Sequence, residues 1–134
     1  MILADTSVWI RSLRVPASTE ARVLDRLLIE GDLAVTGMVL AEILQGARSD
    51  RHWAELWRVL EGVPYLETSQ SSWTQAGRVS SQLRRQGITV PLSDLVIGMV
   101  AIEHDCQVYT LDEHFERIHG LKLHVPGAAA EHAQ

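Results

Sequence analysis

Four carboxylates stand at positions in the sequence from which a reactive site is easily built. Asp5 and Asp112 each close a short apolar run that is typical of a β-strand. Asp94 begins an apolar helical segment, and Glu42 interrupts another. Carboxylate oxygens suit Mg²⁺ or Mn²⁺. Such an ion lowers the pKa of a bound water and stabilises charge on a phosphoryl group, so this set of acids points to phosphate ester chemistry.

Each acid also has an ordinary structural interpretation. Asp5 and Asp112 can cap the helices that follow them, and Asp94 sits at a helix start, where the helix dipole favours a carboxylate. Glu42 can be an ion-paired core residue. Taken together the acids favour a site, because parallel strands bring their carboxyl ends to one edge of a sheet. Several carboxylates gathered there repel one another unless a cation is present.

Short strands alternate with helices along the whole chain, which predicts a three-layer α/β fold with a mainly parallel sheet. A strand is expected over residues 107–111, immediately before Asp112, and a last strand over residues 121–125 at an edge. The expected helix caps are Thr6 and Ser7 for the first helix, and Ser71 or Ser72 for the long helix that ends before Gly87.

Three tryptophans lie on predicted helical stripes. Trp53 and Trp57 share a stripe with Leu56 and Leu60, where they fit either the core or a contact with a partner. Trp73 lies on the apolar stripe of the long helix before Gly87.

The composition of the chain limits its possible domain organisation and cellular compartment. With 134 residues, 46% of them hydrophobic and 22% charged, the chain is expected to form one domain over residues 1–126, with residues 127–134 as a frayed tail. Cys106 is the single cysteine, which argues against a disulfide framework and a cysteine zinc site. No membrane-spanning run or signal peptide is recognised, so a cytoplasmic location is expected.

The charge and the remaining motifs narrow the function. The net charge of −5 argues against a general nucleic-acid coat, although a local basic patch is compatible with it. The six histidines show no pair at metal-binding helical spacing, and His114 is the one worth testing. There is no glycine-rich phosphate loop with lysine. An aspartyl-nucleophile phosphatase would have a second acid two residues after the first, where this chain has Ser7.

Four short blocks in this order resemble the PIN domain family, and the length and order resemble its VapC toxins from bacterial and archaeal toxin–antitoxin pairs. The blocks are Asp5-Thr6-Ser7 after an apolar strand, Glu42, Pro91-Leu92-Ser93-Asp94-Leu95-Val96-Ile97, and Thr110-Leu111-Asp112-Glu113-His114-Phe115. Two departures are Gly98, where alanine is common, and His114, where another aspartate is frequent. Glu113 or Glu116 is therefore an alternative contributor beside Asp112.

The resemblance implies a five-stranded parallel sheet between helices and a Mg²⁺- or Mn²⁺-dependent endoribonuclease. By the same resemblance the catalytic quartet is Asp5, Glu42, Asp94 and Asp112, with Asp5, Asp94 and Asp112 as metal ligands and Thr6, Ser7 and Thr110 as supporting polar residues. It also implies a homodimer and a small VapB-like antitoxin whose C-terminal segment lies over the groove.

The expected reaction is in-line attack of water on an RNA phosphodiester, leaving a 5′-phosphate and a 3′-hydroxyl. The arginines nearest in sequence to the acidic blocks are candidates for holding the RNA backbone: Arg11, Arg48, Arg84 and Arg85. One rival interpretation is a binding module that keeps the acids and acts through its antitoxin and operator DNA. Another is a structural domain in which the acids are only helix caps.

Overall fold

A five-stranded, entirely parallel sheet forms the centre of the computed structural model, which describes residues 1–127. The strands are β1 (Ile2–Ala4), β2 (Leu33–Thr36), β3 (Tyr65–Leu66), β4 (Gln107–Tyr109) and β5 (Lys122–Leu123). Their order across the sheet is β3-β2-β1-β4-β5. The three-layer α/β/α fold is therefore confirmed, and β5 lies at an edge as expected.

Helices flank the sheet. They are α1 (Thr6–Arg14), α2 (Thr19–Ile29), α3 (Gly37–Leu44), α4 (Asp50–Leu60), α5 (Gln70–Arg85) and α6 (Leu92–Glu103). A 3₁₀ helix, η1 (Glu113–Arg117), follows β4. Helix α1 packs against α2 and α3, while α6 packs against α3, α5 and η1. In residues 1–127, none of the helices has the length and apolar character that a membrane crossing requires.

The central strand β1 is buried on both faces, because helices cover both sides of a parallel sheet. Its residues Leu3 and Ala4 are inaccessible to solvent, and Leu3 pairs with Ala34 of β2 and Val108 of β4. The strand ends directly at Asp5. The core thus holds the carboxyl ends of β1 and β4 side by side, and this fixes where the following polar residues lie.

Several predicted boundaries were wrong by one to three residues. Helix α1 is capped by Asp5, as the structural interpretation of that acid allowed, and not by Thr6 or Ser7; α5 is capped by Ser69 rather than by Ser71 or Ser72. The hydroxyl of Ser72 is buried and donates to Glu103 Oε2 at 2.6 Å. The Ser69 hydroxyl accepts the Ser72 amide at 3.1 Å, so the helix begins before Ser72, which lies in its first turn.

Strands β4 and β5 are shorter than predicted, ending at Tyr109 and Leu123. Trp53 and Trp73 were expected on buried stripes or at a contact, and they are 44% and 50% exposed. The ring of Trp53 lies against Trp57 with 6.2 Å between ring centroids. The predicted C-terminal tail begins at Gly127, and residues 128–134 lie outside the described part of the chain.

Candidate active site

Asp5 is buried at the end of β1 and its carboxylate is fully engaged by donors. It is 3% exposed. Its Oδ1 accepts hydrogen bonds from the Ser7 hydroxyl at 2.6 Å and the Val8 amide at 3.2 Å, and its Oδ2 accepts from the Thr110 hydroxyl at 2.6 Å. Burial raises the pKa of Asp5, although the Ser7 and Thr110 hydrogen bonds oppose that rise. The side chain is both a helix cap and a rigid acid facing the site.

The loop after β4 is tied to the start of α1. The Leu111 amide donates to the Ser7 hydroxyl at 3.1 Å, and the Asp112 amide donates to the Thr110 hydroxyl at 2.9 Å. These bonds replace ladder hydrogen bonds, which explains why β4 stops at Tyr109. Thr110 and Ser7, which the family resemblance implies as supporting polar residues, each link Asp5 to the Asp112 loop.

Asp94, Asp112 and His114 form the closest group of metal-ligating side chains in residues 1–127. One ligand atom from each lies within 4.8 Å of the others. His114 Nδ1 is 2.9 Å from Asp112 Oδ1 and 3.6 Å from Asp94 Oδ2. Asp94 Oδ2 is buried and accepts no hydrogen bond from the described residues. A buried, unpaired carboxylate oxygen is costly, and a cation bound there would remove that cost.

The two carboxyl groups of this cluster have opposite pKa shifts. Burial, followed by the negative charge of Asp112, raises the pKa of Asp94 to about 7. Burial also acts to raise the pKa of Asp112, but the backbone amide and imidazole of His114 outweigh it and hold that pKa below its usual value. Asp5 adds to the rise at Asp94 through its charge, so all three acids share one electrostatic site.

Glu42 reaches the same region through a different contact. The Thr6 hydroxyl, at the first position of α1, donates to Glu42 Oε1 at 2.7 Å. Glu42 is half-buried and lines a cavity of about 360 Å³. Glu42 has no salt-bridge partner among residues 1–127, so it is not the ion-paired core residue of the structural interpretation. Glu42 is outside the three-residue ligand group.

The cavity beside Glu42 is lined by basic groups. Arg14, Arg48 and His52 contribute to it, and neither arginine has a carboxylate within salt-bridge distance among residues 1–127. The Arg48 amide donates to His52 Nδ1 at 3.0 Å, which leaves Nε2 as the protonated nitrogen of a neutral ring. Arg48 was predicted from the sequence, whereas Arg14 and His52 were missed.

The sequence contains a signal for one of the two missed residues, Arg14, and none for the other, His52. Arg14 follows Ile10 at i+4 on α1, and both line the cavity, so helical spacing was a usable signal. The placement of the His52 ring depends on its hydrogen bond with the Arg48 amide, and nothing in the sequence predicts that bond.

The other basic and acidic candidates lie elsewhere. Arg84 and Arg85 line a shallow depression along α5 that includes none of the four acids. Arg11 is exposed and does not line the cavity beside Glu42. Glu113 and Glu116 line a cavity that Glu20 and Asp112 also line, and neither is in the ligand group.

Comparisons with known proteins agree with this geometry. The family model of the PIN domain matches residues 2–121. The chain is 33% identical to the VapC ribonuclease Mb1587 of Mycobacterium bovis over 122 residues, which are 88% of this chain and 91% of that protein. The chain belongs to the PIN domain family.

Two solved structures share the fold of this chain. The structure of VapBC2 from Rickettsia felis bound to a promoter DNA fragment contains a chain that matches with a TM-score of 0.78 and 22% identity, covering 92% of this chain and 98% of that one. DNA-bound VapBC from Salmonella typhimurium matches with a TM-score of 0.78 and 21% identity, covering 92% and 96%. At these identities the two structures support the shared fold.

Proposed function

We propose that the chain is a Mg²⁺- or Mn²⁺-dependent endoribonuclease and the toxin of a VapBC-type pair. One observation carries the proposal. Asp94 presents a buried, unpaired oxygen to Asp112 and His114, in an acidic site that includes Asp5. The relative named a VapC ribonuclease, at 33% identity over most of both chains, supports RNA as the substrate class.

The donor set fits a hard divalent cation. The protein groups that would hold it are Asp94 and Asp112, with Asp5 beside them. Bound there, the ion would lower the pKa of a water molecule and stabilise negative charge on the phosphodiester. The repulsion that raises the pKa of Asp94 is the same repulsion that a cation relieves.

The chain's own residues hold this site in shape before substrate arrives. Ser7 and Thr110 fix both oxygens of Asp5, and Thr6 fixes one oxygen of Glu42. Fixed acceptors need little reorganisation during the reaction, which lowers its barrier. The products of in-line water attack would be a 5′-phosphate and a 3′-hydroxyl.

The basic cavity beside Glu42 is the proposed binding site for the RNA backbone. Arg48 and Arg14 provide guanidinium donors without protein carboxylate partners among residues 1–127, and His52 adds a ring N–H. Of the arginines named from the sequence, Arg48 is therefore ranked first, ahead of Arg11, Arg84 and Arg85.

The proposed partners are a VapB-like antitoxin and a second copy of this chain. The solved neighbours are described as VapBC complexes, in two cases bound to DNA. Apolar side chains on the surface, such as Trp53, Val59 and Leu28, leave area for a protein partner.

RNA cleavage by the purified chain without antitoxin tests the proposal. With Mg²⁺ or Mn²⁺ we expect discrete fragments carrying 5′-phosphates, and no cleavage with a chelator or with Asp94→Asn. Asp105→Asn, an exposed acid outside the site, is the matched control and should cleave normally. Intact RNA with the unaltered chain, together with antitoxin-dependent DNA binding, would replace this proposal with the binding-module function.

A further inference from the structure

His114 is the histidine of the ligand group, and its side chain contacts both Asp112 and Asp94. Its Nδ1 is 2.9 Å from Asp112 Oδ1 and 3.6 Å from Asp94 Oδ2. The side chain is 47% exposed, so water and ions can reach the ring. Arg and Lys side chains are absent from the salt-bridge contacts of these two acids within residues 1–127.

We propose that His114 is a protein ligand of the metal site and makes that site prefer Mn²⁺ to Mg²⁺. This inference rests on the proposed function, because it concerns the ion that the nuclease would use. It adds His114, the one histidine that the sequence marked as worth testing, as a nitrogen ligand beside the oxygen donors.

The spacing of the three side chains matches one coordination sphere. At metal–ligand distances of about 2.1 Å, neighbouring ligands of an octahedral ion are about 3 Å apart and opposite ligands about 4.2 Å apart. The ligand atoms of Asp94, Asp112 and His114 already lie within 4.8 Å of one another. Small side-chain rotations are enough to bring all three onto one ion.

The backbone holds the imidazole in this position. Asp112 caps η1, and its Oδ1 accepts the His114 amide at 2.9 Å, which fixes His114 two residues beyond the acid. Helix η1 is held against α6, which carries Asp94. At that contact Ile118 packs so closely on Gly98 that a Cβ there would lie 2.8 Å from Ile118 Cδ1.

The chemistry of the donors decides between the two ions. Mg²⁺ takes oxygen ligands in nearly ideal octahedral geometry and gives up its waters reluctantly. Imidazole nitrogen suits transition metals, and affinity for sites with nitrogen donors rises along the first-row series that begins with Mn²⁺. Replacing one oxygen donor by His114 nitrogen therefore weakens the fit to Mg²⁺ more than the fit to Mn²⁺.

Metal binding to the isolated chain tests the inference without RNA. We would measure the dissociation constants of Mn²⁺ and Mg²⁺ by calorimetry, and ¹⁴N modulation of bound Mn²⁺ by pulsed electron paramagnetic resonance. The variants are His114→Gln and, as matched control, His119→Gln, which is exposed and outside the ligand group. Circular dichroism of the metal-free variants checks that each folds.

The expected result is ¹⁴N modulation in the unaltered chain and in His119→Gln, and its loss in His114→Gln. That variant should bind Mn²⁺ about tenfold or more weakly, with Mg²⁺ affinity changed less than about threefold. Absence of ¹⁴N modulation from the unaltered chain overturns the inference. So does tighter metal binding by His114→Gln, because the imidazole would then be a competing cation.

The failure of this inference is distinguishable from failure of the proposed function. RNA cleavage without ¹⁴N modulation would support the proposed nuclease function and show that His114 is not a metal ligand. Mn²⁺ bound to nitrogen without any RNA cleavage would support the ligand assignment and contradict the nuclease function.

Discussion

The two ends of the parallel sheet hold their acidic residues in opposite ways. At the amino ends of the strands, Asp32 lies 3.4 Å from the Met1 amino group and Asp105 lies 3.5 Å from Lys122 Nζ. Both acids are well exposed, and a cavity of about 580 Å³ opens between them. These are ordinary surface ion pairs, each worth about 0–1 kcal/mol.

At the carboxyl ends, Asp5 is buried, Asp94 and Asp112 are half-buried, and no arginine or lysine forms a salt bridge with these acids among residues 1–127. Asp5 is 3% exposed and the Asp94 side chain 14%, and His114 is the one basic partner of this group in residues 1–127. The larger cavity therefore lies at the end opposite the proposed site. Half-buried acids with shifted pKa values, rather than cavity size, are the basis on which that site is proposed.

Replacing one acid at each end of the sheet by asparagine should give the largest difference in the rate of RNA cleavage. We expect Asp94→Asn to lower the initial rate of RNA cleavage at saturating Mn²⁺ at least about a hundredfold, since it removes a charged ligand at the reacting centre. Asp105→Asn, at the other end, should change that rate less than about twofold. Similar losses in both variants would contradict the functional difference between the two ends.

The hydroxyl that joins β1 to β4 should matter for stability. Thr110→Val keeps the shape of the side chain but removes a donor to Asp5 and an acceptor for the Asp112 amide. We expect the free energy of unfolding in urea to fall by about 1–3 kcal/mol, because buried polar groups lose partners. Thr74→Val, which removes an exposed hydroxyl contact to the Ser71 carbonyl, is the control and should cost less than about 0.5 kcal/mol. Equal losses in the two variants would mean that the bonds to Asp5 add nothing.

The raised pKa of Asp94 predicts a pH dependence of stability without metal. The pKa is 3.8 in a model peptide and about 7 in the folded chain, so between these values the folded state binds more protons. The free energy of unfolding should therefore fall as pH rises from about 4 to 7, with a slope of at most about 1.4 kcal/mol per pH unit for one proton.

Urea unfolding at pH 5, 6 and 7 with a chelator measures this dependence. Asp94→Asn should lose this contribution and become more stable than the unaltered chain near pH 7, by roughly 1–2 kcal/mol. Saturating Mn²⁺ should oppose the decline in the unaltered chain because it favours the ionised carboxylate. Identical slopes for the two chains would show that Asp94 has an ordinary pKa.

Gly98 should give the smallest effect. Gly98→Ala gains helix propensity of about 1 kcal/mol, and its Cβ displaces the flexible Cδ1 of Ile118, 2.8 Å away. We expect the two effects to offset, with a net change in the free energy of unfolding below about 1 kcal/mol. Adding Ile118→Val removes that methyl, so Gly98→Ala should be more favourable in the Ile118→Val background. The absence of such coupling in a double-mutant cycle would contradict the close contact.

The sequence by itself determined the layers, the parallel sheet and three of the acids that meet at its carboxyl end. The local patterns are apolar runs that end at Asp5 and Asp112 and an apolar helix that begins with Asp94. Because connections between parallel strands are right-handed, these residues are expected at the same edge of the sheet. The interruption of an apolar helix marked Glu42 as a candidate, and the family resemblance supplied the supporting hydroxyls.

Only the tertiary structure decided which groups face one another. It placed His114 between Asp94 and Asp112, brought Arg14 and His52 to the cavity beside Glu42, and left Trp73 exposed. It also decided between Asp5 and the following hydroxyls as the cap of α1, and it capped α5 with Ser69 in place of the serines expected. These outcomes depend on contacts between residues far apart in the chain. The hydrophobic periodicity of the sequence shows which residues share a face of a helix or strand, but not which residues pack against that face.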